Sequence, residues 1–294
     1  MRSPLAFAAL LLAPALPSVA AAQTAAAADV RWEFAAGDTH TYAFTQNSTA
    51  SITQLGETSE VKNDLGIVLS WEVKSVNPDG SAVVERTVQR VTVKATGGGA
   101  TPVTFDSAAE GDEARDPATL PARLRVLGSL AGQTFTSTIA ADGEVKGVEM
   151  PAKVTRAIAA AGEGNQFGEE QVKLLFTDRG YTLPPAGTAV GASWKNEETL
   201  ALAFGKVTDA RTLTLKSADD KAAVVTLNSE LKPLDAQADA PMKFDGGTQT
   251  GAVVFDVANG RLAAVDSSQK ATLSGPGGFK VDLTSASKLR RVGD

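Results

Sequence analysis

The sequence predicts a mainly β protein: curved antiparallel sheets, or a half-barrel, built from two pseudo-repeats with short helices in the middle of the chain. Three observations predict it. Apolar and polar residues alternate over long stretches in both halves, which is the period of a half-buried strand. Clusters of Gly, Asn, Asp and Pro punctuate those stretches, as hairpin turns require. Between Met150 and Phe176 the apolar spacing lengthens to about four residues, as on one face of a helix.

The elements follow in order. From Thr39 to Ile52, His40, Tyr42, Phe44, Ala50 and Ile52 share one face. Leu65, Ile67, Leu69, Trp71 and Val73 all fall at odd positions while Glu72 and Lys74 point the other way, so this strand has one wet face. Asn77-Pro78-Asp79-Gly80 turns the chain, and Ala82 to Val93 returns as its hairpin partner. The apolar positions of that partner change face between Val84 and Val91, which predicts a bulge or a strong twist. Ala95 to Pro117, with Gly97-Gly98-Gly99 and an acidic run from Glu110 to Asp116, reads as an exposed loop. Pro117 to Leu130 reads as a short helix with Leu120, Leu124 and Leu127 on one side. Phe135 and Ile139 open a strand that turns at Asp142-Gly143 into Val145 and Val148.

Met150, Val154 and Ile158 make Pro151 to Ala161 a helix, with proline in the first turn where its missing N–H is harmless. Glu169 to Thr177 is a second helix, followed by Gly180 as a left-handed cap. Extended chain resumes after Pro184-Pro185. Leu213 and Leu215 lie on one strand, and Val225, Leu227 and Leu231 on the next, after a turn at Asp219-Asp220. Val253, Phe255 and Val257 form another, and Ala258-Asn259-Gly260 is a tight hairpin signal. Leu262 to Leu273 and Phe279 to Leu289 complete the set. The two halves echo one another. Ala82-Val83-Val84 after Asp79-Gly80 matches Ala223-Val224-Val225 after Asp219-Asp220, and Asp142-Gly143-Glu144-Val145 matches Asn259-Gly260-Arg261-Leu262.

The N-terminus carries an export pattern. Arg2 precedes the apolar stretch Leu5 to Leu16, and small residues follow at Ser18-Val19-Ala20-Ala21-Ala22. This is the three-part form of a secretory signal peptide, cut after Ala22 or, as the alternative, after Ala20. The apolar run is only about a dozen residues, short of the ~20 a spanning helix needs, so no transmembrane anchor is expected. The expected organisation is a signal peptide over 1–22, a disordered tether over 23–29, a first β-rich pseudo-repeat over 30–149, a helical connector over 150–180 and a second β-rich pseudo-repeat over 181–294. The protein is expected in the periplasm or outside the cell.

Composition narrows the function. The chain of 294 residues is 43% hydrophobic, enough for a substantial core. Its net charge of -6 argues against nucleic-acid binding, which needs a basic surface. No cysteine is present, which excludes disulfides, thiolate metal sites and a lipid-modified N-terminal Cys. His40 is the only histidine, so a multi-His metal centre is excluded too. A catalytic role for it would need a nucleophile and an orienting carboxylate beside it. Ser267 to Lys270 and Ser285 to Lys288 have the Ser-x-x-Lys spacing of serine acyltransferases. Both lie in strand-like sequence, where residues three apart point to opposite faces and cannot act together. Gly162-Glu163-Gly164 reads as a linker, not a phosphate or dinucleotide loop. The Glu110 to Asp116 carboxylates do not have the spacing of a calcium loop. Asn47-Ser48-Thr49 fits a glycosylation sequon by chance. No catalytic, cofactor or metal residues are assigned.

Arg31-Trp32-Glu33-Phe34 with Gly37-Asp38-Thr39, and Leu69-Ser70-Trp71-Glu72-Val73 leading into Asp79-Gly80, resemble a secreted bacterial family known as domain of unknown function 6263. Asp142-Gly143-Glu144-Val145 running to Pro151, and Phe255-Asp256-Val257 to Gly260-Arg261-Leu262, fit the same pattern. The resemblance implies export and a β-rich fold, and assigns no reaction. The layout is also similar to the half-barrel carriers of lipids and lipoproteins in the periplasm, at the level of architecture only.

The expected function is therefore non-enzymatic binding of a hydrophobic ligand, a lipid or a lipoprotein acyl chain. Leu65, Ile67, Leu69, Trp71 and Val73 are the candidate ligand-lining residues. They suit a sealed core equally well. Two alternatives remain: a structural or adaptor module that binds another envelope protein, and a hydrolase built on dispersed carboxylates.

Overall fold

The structure, a computed structural model of the chain, describes residues 30–110, 116, 120, 122–161, 168–176, 183–202, 205–235 and 242–293. The expected signal peptide and tether, the centre of the acidic run, Gly162-Glu163-Gly164 and Gly180 lie outside the described residues.

Alternation dictates the architecture. A chain with one apolar face per strand must turn that face onto something, and here the sheet curves around it. The first half supplies β1 (Thr39–Gln54), β2 (Glu57–Val76), β3 (Ala82–Gly97), β4 (Ala100–Asp106), β5 (Thr134–Ile139) and β6 (Val145–Glu149). Helix α1 (Ala122–Ser129) precedes β5, and α2 (Ala152–Ala161) and α3 (Glu169–Phe176) follow β6. The second half supplies β7 (Ser193–Leu202), β8 (Gly205–Ala218), β9 (Ala222–Asp235), β10 (Lys243–Asp256), β11 (Arg261–Gly275) and β12 (Phe279–Arg291).

All twelve strands form one antiparallel sheet in the order β6-β5-β3-β2-β1-β12-β11-β10-β9-β8-β7, with β4 added on β3. The first strand pairs with the last, Tyr42 opposite Arg291 through to Thr53 opposite Lys280. The sheet is not closed into a barrel; its free ends are β6 and β7. The single curved sheet is thus the open half-barrel that the alternation predicts.

The two halves use the same turn devices. The β2–β3 register slips between Val73 and Ser75, just before a turn in which Asp79 accepts the Ser81 N–H. The β8–β9 register slips between Leu215 and Ser217, just before a turn in which Asp219 accepts the Lys221 and Ala222 N–H groups. The predicted irregularity of β3 is a register shift where Leu69 pairs with Val88 and Val68 with Arg90.

Three expectations change. The supposed loop after Ala95 holds β4, because the three glycines make a tight turn and Val103 and Phe105 then lie opposite Ala95 and Val93. Strand β7 was not expected, because its inner positions Trp194, Asn196 and Glu198 are mostly polar and hide the alternation. Strand β10 begins at Lys243, well before Val253, because two glycines and several polar residues mask its period.

One end of the sheet is closed. The segment Val30–Phe34 straps across it: Trp32 N–H donates to the Ala141 carbonyl at 2.9 Å, and Glu33 N–H to the Gly260 carbonyl at 2.8 Å. Those acceptors sit in the β5–β6 and β10–β11 turns, on opposite halves of the sheet. Under the strap, Trp32 stacks on Phe34 and Trp71, and Phe255 meets its edge. The helices complete the same core. Leu124, Val126 and Leu127 of α1, Val154 of α2, and Val172 and Phe176 of α3 are buried with the inner face of the sheet. Phe176 stacks on Phe135 at 3.8 Å between ring centroids, and its carbonyl accepts Arg86 Nη1. The Arg86 guanidinium lies 4.0 Å over the Trp71 ring. A buried cation is thereby given a carbonyl and a π face in place of water.

Candidate functional site on the concave face

Pairing residues in an antiparallel sheet share a face, so the register lays out the inner surface row by row. On the strap side of the sheet this face is apolar: Phe44, Leu289, Val265, Val253, Val225 and Leu215 lie side by side across β1, β12, β11, β10, β9 and β8. Toward the other end the chemistry changes. Asn63, Ser48, Ser285, Gln269, Gln249, Ser229, Arg211 and Asn196 form one continuous row from β2 to β7. Gln46, Ser287 and Ser267 flank it on the strap side. Beyond it the inner face turns apolar again, around a second, smaller buried cluster of Val207, Leu231, Phe244, Ala271 and Leu273 against which Val281 and Leu283 pack. Ala50, Leu283, Ala271 and Leu231 make one row, and Ile52, Val281, Leu273 and Phe244 the next.

This polar belt is built into the wall. Gln46 Nε2 donates to Ser285 Oγ at 2.9 Å, and the Ser267 and Ser287 hydroxyls lie 2.7 Å apart. At the β8 end, Arg211 is 5% exposed and Asp209 only 2%. Arg211 Nε and Nη2 both reach Asp209 Oδ2, at 2.8 and 2.5 Å, and Nη2 lies 3.3 Å from Glu198. Ser229 donates to the other Asp209 oxygen. A buried pair of this kind is tolerable because the guanidinium meets two carboxylates and both Asp209 oxygens accept hydrogen bonds. Two further groups are buried without a hydrogen-bond partner, Asn63 Oδ1 and Trp194 Nε1.

The middle of the belt is partly open. Gln46, Ser48, Gln249 and Gln269 are half-buried, as are Ile52, Val281 and Leu283 on the rim side. Gly247 lies in the rim row, and a Cβ there would sit 2.6 Å from the Lys270 carbonyl oxygen. Its absence lets β10 and β11 approach closely at this level.

The sequence-nominated residues sit elsewhere. Leu65, Ile67, Leu69, Trp71 and Val73 are all buried in the main core, 3–8% exposed, packed with the strap and the helices. A groove of about 500 Å³ opens where β10 bulges between Phe244 and Gly246. Its walls include the outward-facing Glu230, Lys232 and Lys270 and also Leu231, Gly247, Ala271 and Leu283 of the first rim row. None of the five residues lines it. His40 lies beside Arg261 Nη1, 3.2–3.3 Å from its ring nitrogens. Ser267 and Ser285 face inward while Lys270 and Lys288 are exposed on the other face. Among the described residues no cluster of three or more His, Asp or Glu is placed to hold a metal, and no helix is long and apolar enough to cross a membrane. The belt itself escaped the sequence reading. Its one signal was the recurrence of Ser, Gln and Asn at every second position of otherwise apolar strand faces.

These features place the chain in a class, open curved β-sheets whose concave face carries both the core and a mixed polar and apolar surface. Within it, the chain belongs to a family of unknown function, DUF6263, whose model matches residues 79–262. No curated protein matches the chain. Among solved structures it is similar to lipovitellin, from a study of lipid–protein interactions in that protein, with a TM-score of 0.53 and 12% identity. The overlap covers 89% of this chain and 26% of lipovitellin, so the chain spans about a quarter of that relative's length. At that identity the likeness is one of fold. An outer membrane channel from Pseudomonas putida F1 overlaps 90% of this chain and 98% of its own at 10% identity, but with a TM-score of 0.27. That overlap is too loose to define a shared fold.

Proposed function

We propose that this is an exported, non-enzymatic binding protein of the cell envelope that holds a lipid or a lipoprotein acyl chain against the open half of its concave face. One observation carries the reading: the half-buried aliphatic rim of Ile52, Val281 and Leu283, set directly beside the belt at the unstrapped end of the sheet. Ligand sites are concave and mainly apolar, with a few placed polar groups, and this is the inner surface that combines both. The lipid association of lipovitellin, whose sheet this chain resembles in fold, supports the same ligand class. The export pattern at the N-terminus supports the location. The ligand-lining residues move accordingly, from the packed β2 face to the rim.

The test is to purify the full chain from an envelope fraction without delipidation and to identify co-purifying acyl species by mass spectrometry. The same is done for Leu283→Lys, at a half-buried position beside the Leu231 and Ala271 cluster, with its melting temperature measured alongside. Stoichiometric acyl material that falls several-fold in the variant supports the reading. Equal loading of both proteins, or none in either, overturns it.

A further inference from the structure

We infer that the polar part of the ligand is uncharged, a hydroxyl- or ester-bearing group such as that of a neutral glyceride, and that anionic lipids are discriminated against. The inference rests on the concave-face reading and specifies its chemistry. The belt offers side-chain amides and hydroxyls, which both donate and accept. Among the described residues, the belt and the two rim rows beyond it carry three ionisable groups, Arg211, Asp209 and Glu198. The one cation is already held by both carboxylates, so the cluster is net negative. A phosphate or free carboxylate entering here would be desolvated next to acids and would meet no uncommitted cation, which is unfavourable. A neutral polar group meets Gln249 and Gln269, half-buried at mid-belt.

The experiment compares two probes with the same chain, 1-monopalmitoylglycerol and palmitate, by equilibrium dialysis against the full chain at pH 7.5. Tighter binding of the glyceride by about tenfold or more is expected. The Gln249→Leu/Gln269→Leu double variant should lose most of that preference while keeping its melting temperature, because both positions are half-open and leucine suits the neighbouring rows. Equal affinities, or a preference for palmitate, overturn the neutral-ligand inference and leave acyl binding standing. A preference that survives in the double variant overturns the role of the belt. If neither probe binds, and no acyl species co-purifies, the concave-face reading fails and this inference with it.

Discussion

At the scale of single residues, the molecule depends on a few side chains that carry unusual loads. Trp32 belongs to no strand, yet it is 6% exposed and touches three other aromatic rings. Trp32→Ala should therefore behave as a large core deletion and lower stability by about 3–5 kcal/mol. Urea titration followed by far-ultraviolet circular dichroism will measure it; a loss under 1 kcal/mol would mean the strap is a passive covering. The Asp209–Arg211 pair makes a different prediction. Asp209→Asn leaves a buried guanidinium short of charge and should cost about 3 kcal/mol. Asp209→Leu combined with Arg211→Met should cost less than either single change, because it removes both desolvated charges together. A double variant less stable than both singles would show that the pair holds more than itself.

At the scale of elements, turns and strap decide how the strands are held. Three carboxylates show the effect on pH. Asp106 is held below the ordinary aspartate range by the Arg90 guanidinium and by the Ala108 N–H. Asp79 is lowered by the Ser81 hydroxyl and N–H, and Asp219 by the Ala222 and Lys221 N–H groups. A carboxyl with a depressed folded pKa contributes stability above its unfolded pKa of about 4 and loses it as pH falls through the folded value. Stability should thus be flat from pH 7 to about 5 and fall below about 4. In Asp79→Ala the acid limb should be shallower than in the parent, as read by thermal melts from pH 3 to 7. Gly260 makes the second prediction at this scale. It has φ +57, and a Cβ there would lie 2.6 Å from the Glu33 backbone nitrogen. Gly260→Ala should displace the strap, with a cost of about 2 kcal/mol and faster amide exchange at Trp32 and Glu33. Unchanged protection there would refute the contact.

At the scale of the whole molecule, the ladder between β1 and β12 joins the two halves into one sheet. It pairs residues some 230–250 positions apart, such as Thr53 with Lys280 and Tyr42 with Arg291. Closing so long a loop before its contacts form makes folding slow. Refolding should take about seconds or longer. A chain ending at Gly275, without β12, should lose the cooperative melt, since β1 and β11 then each lose a hydrogen-bonded neighbour along one edge. A sharp transition in that truncation would show that the halves fold independently.

Much of the fold was legible in local pattern. Strands β1, β2, β3, β8, β9, β11 and β12 show their alternation, and α2 and α3 show the helical period, because each strand or helix must present one apolar face whatever its neighbours are. Turn chemistry was legible for the same reason: Asp79 and Asp219 satisfy backbone groups within a few residues of themselves. The belt was not, and neither was β7. Polar residues on an inner face break the alternation that reveals strands, and only the register between strands shows that Gln249, Gln269 and Ser285 stand side by side. The Leu65 to Val73 face was equally consistent with a core or a groove, because apolar patterning records which side is dry and not what fills it. The sequence by itself determined the β class, the turns and the dry faces, all set by short-range sterics and hydrophobic burial. Tertiary structure decided which dry residues pack under the strap and helices and which gather in the smaller cluster beyond the belt, because that depends on where the strap, the helices and the β1–β12 ladder bring distant residues together.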